Sequence, residues 1–162
     1  MLAVWRLCDK LHPILDGFGA KQFGGRWNPE GLAVVYAAEC VALATLESLV
    51  HLCEYPNDYC LIRIPLEEST VRSVEDLCAL PSGWRDNEGI TQTIGAHWLA
   101  SPDAWVLSVP SSTAKTGRNY LINPARYESG VVPADPPADY QFDPRLLSLA
   151  LHPDTDIPAV PI

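Results

Sequence analysis

Val41-Ala42-Leu43-Ala44-Thr45-Leu46-Glu47-Ser48-Leu49-Val50 is the stretch on which the reading of this chain turns. It reads as a helix from about Glu39 to Cys53. Nearly every neighbour of Glu47 is apolar on all sides, which predicts a buried helix carrying one acid. A carboxylate placed there loses hydration, and an isolated buried charge is costly or is neutralised unless something pairs with it. Upstream lies Gly24-Gly25-Arg26-Trp27-Asn28. Between the two, Leu32-Ala33-Val34-Val35-Tyr36 reads as a short strand ending in an aromatic. Arg26, Tyr36 and Glu47 form a basic, aromatic and acidic set on three consecutive elements. We read that set as an active site.

The 162 residues, 48% of them hydrophobic, are enough for one domain with a real core. The net charge of −9, from 11 basic and 20 acidic side chains, argues against a general phosphate-backbone binder. It leaves room for a small anionic ligand, since one or two arginines can dominate a pocket. No early basic-plus-apolar leader is present and no apolar run reaches membrane-spanning length. The expectation is a soluble cytoplasmic protein with no membrane and no direct nucleic-acid partner. The five cysteines, Cys8, Cys40, Cys53, Cys60 and Cys78, include no C-x-x-C pair. They read as reduced, mostly core thiols, and no metal is expected.

Met1 to Leu7 reads as a first strand and Asp16 to Gly25 as a Gly-rich loop. Asn28-Pro29-Glu30-Gly31 has turn chemistry. Cys60 to Ile64 reads as a strand ended by Pro65, and residues 66 to 90 as a polar segment with a loop anchored by Trp84. Thr91 to Leu99 forms a short helix with Ile94 and Trp98 on one face. Ala104 to Val109 reads as a strand, Asn119 to Pro124 as a strand or turn entry, and Val131 to Asp139 as a surface loop. Asp143-Pro144 has the form of an N-cap followed by Pro at the first helical position. The fold class is α+β: a catalytic domain over residues 1–151 with a mixed sheet and flanking helices, then a Pro-rich arm over 152–162.

The ordered set Gly24–Asn28, Val35-Tyr36-Ala37, Leu46-Glu47 with His51, Val109-Pro110-Ser111, Asn119–Pro124 and Phe142–Arg145 resembles the RES domain. That family is named for an Arg, a Glu and a Ser, here Arg26, Glu47 and Ser111. The resemblance implies a fold similar to ADP-ribosyltransferases and a toxin of a toxin–antitoxin module that consumes NAD+. It implies an Xre-type helix-turn-helix antitoxin that masks the active site, with a homodimer as one arrangement of the complex. DNA would be touched by that partner. NAD+ would be substrate, with no further cofactor.

The residue types suit that chemistry. Cleaving the nicotinamide–ribose bond develops positive charge on the sugar, as in other oxocarbenium-like cleavages. Nicotinamide departs as a neutral ring, so no acid is needed to protonate it and one carboxylate suffices. Glu47 can oppose the cation and orient an acceptor. Tyr36 can stack on nicotinamide or ribose, and Arg26 offers a planar fork for the pyrophosphate. Ser111 is assigned a contact to the nicotinamide side or a phosphate, and Arg6 and Asn119 the pocket rim. His51 can touch Glu47 on the same helical face. Water or phosphate is the expected acceptor. The alternatives are a protein ADP-ribosyltransferase using the same pocket, and a non-catalytic module in which Arg26 and Glu47 form a structural ion pair.

Overall fold

The computed structural model describes residues 1–52, 56 and 58–151. The expected arm over 152–162 and the far end of the expected helix at Cys53 lie outside them. The first strand, β1 (Leu2–Asp9), runs antiparallel to β3 (Tyr59–Leu66) over its whole length, from Leu2 opposite Leu66 to Asp9 opposite Tyr59. Pro65 pairs with Ala3 inside this ladder and does not end it. On the other side β1 meets β2 (Val35–Ala38) at one position only, Trp5 opposite Ala38. Beyond it the two strands part, and the Tyr36 carbonyl accepts a hydrogen bond from the Arg6 guanidinium at 2.9 Å.

Four further strands complete a seven-stranded mixed sheet: β4 (Val71–Ser73), β5 (Val106–Pro110), β6 (Arg118–Ile122) and β7 (Ala138–Tyr140), in the order β4-β5-β6-β2-β1-β3-β7. Among the described residues the β4/β5 pair alone is parallel. Side chains alternate across the sheet as the two-residue strand period requires. Val4, Val35, Ala37, Ile62, Ile64 and Ile122 form the core of one face. The other face carries two separate clusters. One joins Leu107, Val109 and Leu121 to Trp27, Trp84 and Trp98, under α4 (Glu88–Leu99). The other joins Leu7 and Ala38 to Leu43, Ala44 and Leu49 of α2 (Val41–Leu49) and to Phe142, just before α5 (Pro144–Leu151).

Several elements differ from expectation. The Gly-rich loop contains a short helix, α1 (Phe18–Phe23), started by Gly17 at positive φ and by Asp16, which accepts from the Phe18 N–H at 2.9 Å. The segment 66–90 holds β4 and α3 (Val74–Leu77), and the loop 131–139 ends in β7. These strands are three residues long and draw their order from a neighbouring strand. α2 is not buried all round: Ala42, Leu46 and Val50 lie exposed along one stripe, because the sheet covers only the opposite side. Of the cysteines, Cys40 is exposed, Cys8 and Cys78 are half-buried and Cys60 is buried; Cys8 and Cys60 face each other as free thiols at 3.6 Å. Trp105 is partly exposed and packs edge-on against Tyr127.

Arg118 ties the parallel strand in place. From β6 it reaches across β5, donating to Ser108 Oγ (2.7 Å), and grips Glu75 at the start of α3 with bonds of 2.8 and 3.2 Å. The guanidinium holds the Glu75 carboxyl well down, at about 2 against an ordinary 4.5. A depressed carboxylate contributes stability that is complete above its ordinary value and lost as pH falls toward its folded one. Glu75 is half-exposed, so solvent screening keeps the contribution small. We expect Glu75→Gln to be less stable than the parent at pH 6, and the gap to close between about pH 4.5 and 2. Urea midpoints across that range check this; a gap independent of pH would contradict it.

Candidate active site

Gly24 to Asn28 folds into a tight turn, with Gly25 and Asn28 exchanging backbone hydrogen bonds of 2.9 and 3.3 Å. Arg26 and Trp27 occupy its tip. Gly24 has φ +70°, a conformation L side chains rarely adopt. Gly25 is required by proximity, since a Cβ there would lie 2.7 Å from the Tyr36 hydroxyl. Trp27 turns inward and is buried against Trp84. Asn28 is fully buried; its Nδ2 donates to the carbonyls of Ala20 (2.8 Å) and Leu32 (2.9 Å), and its Oδ1 accepts from Tyr36 Oη at 2.7 Å.

α4 supports the turn from below. Gln92 Nε2 donates to the Gly25 carbonyl at 3.0 Å and the Thr91 hydroxyl to the Arg26 carbonyl. Gly95 lets the helix close on Trp27, whose carbonyl oxygen would stand 1.7 Å from an added Cβ. Tyr36 pins the turn from the sheet, accepting from the Trp27 N–H at 3.0 Å while donating to Asn28. Burial pushes its phenol above the ordinary tyrosine range, so the proton it donates stays in place.

Glu47 is held by a different part of the chain. Its Oε1 accepts from Ser111 Oγ (2.6 Å) and Asn119 Nδ2 (2.6 Å), and its Oε2 from Thr113 Oγ1 (2.9 Å). Ser111 Oγ also accepts the N–H groups of Thr113 (3.0 Å) and Ala114 (2.8 Å). Those two donors fill its lone pairs, so its proton is directed to the carboxylate. The loop carrying Ser111 and Thr113 is seated against α2 at Gly117, where a Cβ would lie 2.8 Å from Leu43 Cδ2. Asn119 has its Oδ1 buried and unbonded. Turning the amide over would place that oxygen against the carboxylate, so the observed orientation is the better one.

A cleft of about 1210 Å³ opens where β1 and β2 part, between the two clusters of that sheet face. Arg6, Arg26, Tyr36, Glu47, Thr113 and Asn119 all border it. It exceeds the ~300–1,000 Å³ of ordinary small-molecule sites. His51 borders it too. Arg26 does not pair with Glu47: its Nη1 donates to the Arg85 carbonyl at 2.7 Å and its Nη2 lies 3.8 Å from Glu88. The structural ion pair that would make this a non-catalytic module is therefore not formed. Ser111, read as a substrate contact, is 0% exposed and lies behind Glu47, outside the cleft wall. Its hydroxyl is spent on the carboxylate. Three groups were missed from sequence: Asn28, Thr113 and Gln92. Asn28 and Thr113 lie within or beside the quoted motifs, whereas nothing in the local pattern distinguishes Gln92.

A RES-domain family model matches residues 3–143. The chain belongs to the RES family. It is 37% identical over 136 residues to a protein of Yersinia enterocolitica named Toxin Res, covering 80% of this chain and 88% of that one. It is 36% identical over 142 residues to a Prs ADP-ribosylating toxin of a Sphingobium species, covering 84% and 88%. The fold is shared with the M. tuberculosis MbcT–MbcA toxin–antitoxin complex, at a TM-score of 0.62 and 19% identity over 93% of this chain and 88% of that one. The chain is thus a RES toxin built on a known toxin fold.

Tyr36→Phe keeps the ring of this RES toxin and removes the hydroxyl that holds the Arg26 turn. It leaves the Trp27 N–H and the buried Asn28 oxygen short of a partner, a loss of about 1–3 kcal/mol. Urea denaturation of the variant should show that loss. Unchanged stability would mean the hydroxyl does not support the turn.

Proposed function

We propose that this RES toxin binds NAD+ in the cleft and cleaves its nicotinamide–ribose bond, passing ADP-ribose to water or phosphate. One observation carries the reading: among the carboxylates that border the cleft, that of Glu47 has one oxygen fastened by two donors and the other held by one. The fastened oxygen, Oε1, fixes the group; Oε2 is left to oppose the ribosyl cation and receive an acceptor's proton. Arg26 supplies donors for the pyrophosphate and Tyr36 an aromatic face for the nicotinamide riboside. Arg6 brings a second guanidinium to the same wall. Nicotinamide leaves neutral, so the site needs no second carboxyl to act as acid. The name of the Sphingobium relative favours a second reading, in which a protein is the acceptor in the same cleft.

Unchecked NAD+ consumption would stop growth, so the toxin requires an antitoxin that covers the cleft. The rim suits such a partner. Ile14, Phe18, Phe23 and Val50 border the cleft, and Phe18 and Phe23 are 63% and 73% exposed. Exposed large apolar side chains grouped at a cleft mouth suit a protein-binding surface. The antitoxin is of Xre type in this reading, and the acidic toxin leaves DNA to it.

Purified protein given NAD+ should release free nicotinamide. Glu47→Gln should slow release by about 10²–10³-fold, the scale on which a positioned electrostatic group acts, while circular dichroism shows it folded. A folded glutamine variant that keeps the parental rate would place the chemistry elsewhere.

A further inference from the structure

Thr113 holds a position that the cleavage reaction leaves unexplained. Oε1 of Glu47 is already occupied by Ser111 and Asn119, and the Thr113 hydroxyl donates to Oε2 at 2.9 Å. Unlike the enclosed Ser111, Thr113 is exposed and borders the cleft. Its neighbour Ser112 borders the cleft as well, yet only Thr113 of the two bonds to Glu47 among the described residues. The Thr113 backbone is fixed by its N–H bond to Ser111 Oγ, and the loop is locked against α2 at Gly117. A hydroxyl is therefore stationed on the oxygen that would orient an incoming acceptor.

We propose that Thr113 is an internal acceptor: the toxin transfers ADP-ribose from NAD+ onto its own Thr113 hydroxyl and so closes its cleft. This rests on the reading of the cleft as an NAD+ site. The step balances without a further reactant. The bond from ribose C1′ to the nicotinamide nitrogen breaks, its electron pair leaving with the ring and cancelling the ring's charge. A bond forms from Thr113 Oγ1 to C1′, and the hydroxyl proton passes to Glu47 Oε2. A hydroxyl and a water molecule are comparable nucleophiles. A well-oriented group in the same molecule can have an effective molarity of about 10⁵ M or more, far above that of liquid water. Thr113 thus competes with solvent whenever the sugar cation forms beside it. The product leaves ADP-ribose tethered across the wall that holds Glu47, so each modified molecule stops turning over.

The test follows the full chain incubated with NAD+, with released nicotinamide measured beside mass spectrometry of the digested protein. We expect one ADP-ribosyl group on the peptide carrying Thr113, localised by fragmentation to that residue, and nicotinamide release that slows as the modified fraction rises. Thr113→Val should lose the modification and Thr113→Ser should retain it. Sustained nicotinamide release with Thr113 unmodified, or ADP-ribose on another residue only, would overturn the proposal and leave the cleavage reading intact. If no nicotinamide is released, the NAD+ reading falls and this proposal falls with it.

Discussion

The carboxylate of Glu47 is fastened by three donors, two from the connection between β5 and β6 and one from the start of β6, and the geometry of the site depends on that fastening. A half-buried charge on a helix with apolar neighbours would be costly if left to itself. Ser111, Thr113 and Asn119 replace its lost water with charge-assisted hydrogen bonds of 2.6–2.9 Å. The same bonds tie α2 to the end of β5 and the start of β6. Folding and the aim of the carboxylate are therefore one event: a loop misplaced at Gly117 would release both.

The opposite wall is held independently. The Arg26 turn hangs on Tyr36, Asn28 and α4, none of which bonds to Glu47. Arg6 crosses the gap left where β1 and β2 separate and closes the floor through the Tyr36 carbonyl. Two rigid assemblies thus face each other over a parted sheet. Neither needs a ligand to be put in order, which is what preorganised electrostatics demands. Arg26 and Glu47 do not pair with each other: Arg26 turns to the Arg85 carbonyl and Glu88, and Glu47 to its three neutral donors.

Much of this was legible from sequence because buried chemistry stands out against apolar surroundings. Glu47 was conspicuous in its helix and Tyr36 as the aromatic of a short strand, though that strand begins at Val35 and runs on to Ala38, and Gly24-Gly25 before Arg26 signalled a turn. What escaped reading depends on the third dimension. α2 looked buried throughout because its sequence is apolar on every side, yet Leu46 and Val50 are exposed. The serine at 111 was visible as a short hydroxyl after a strand, but its direction is set by two backbone N–H groups of its own loop. The brief strands β4 and β7 carry no alternation long enough to detect. Their order comes from pairing with β5 and β3, reinforced by Arg118 reaching over β5 and by Tyr140, whose hydroxyl lies 2.6 Å from that of Thr45.

The account reduces to a claim about place: nicotinamide riboside lies between Tyr36 and the outward oxygen of residue 47, with the pyrophosphate toward Arg26. A crystal structure of Glu47→Gln soaked with NAD+ measures this directly. The account predicts intact NAD+ in the parted-sheet cleft, its ribose C1′ beside the residue 47 amide and its phosphates within hydrogen-bond reach of Arg26. NAD+ bound elsewhere, or lodged in the cleft with its phosphates turned away from Arg26, would contradict it.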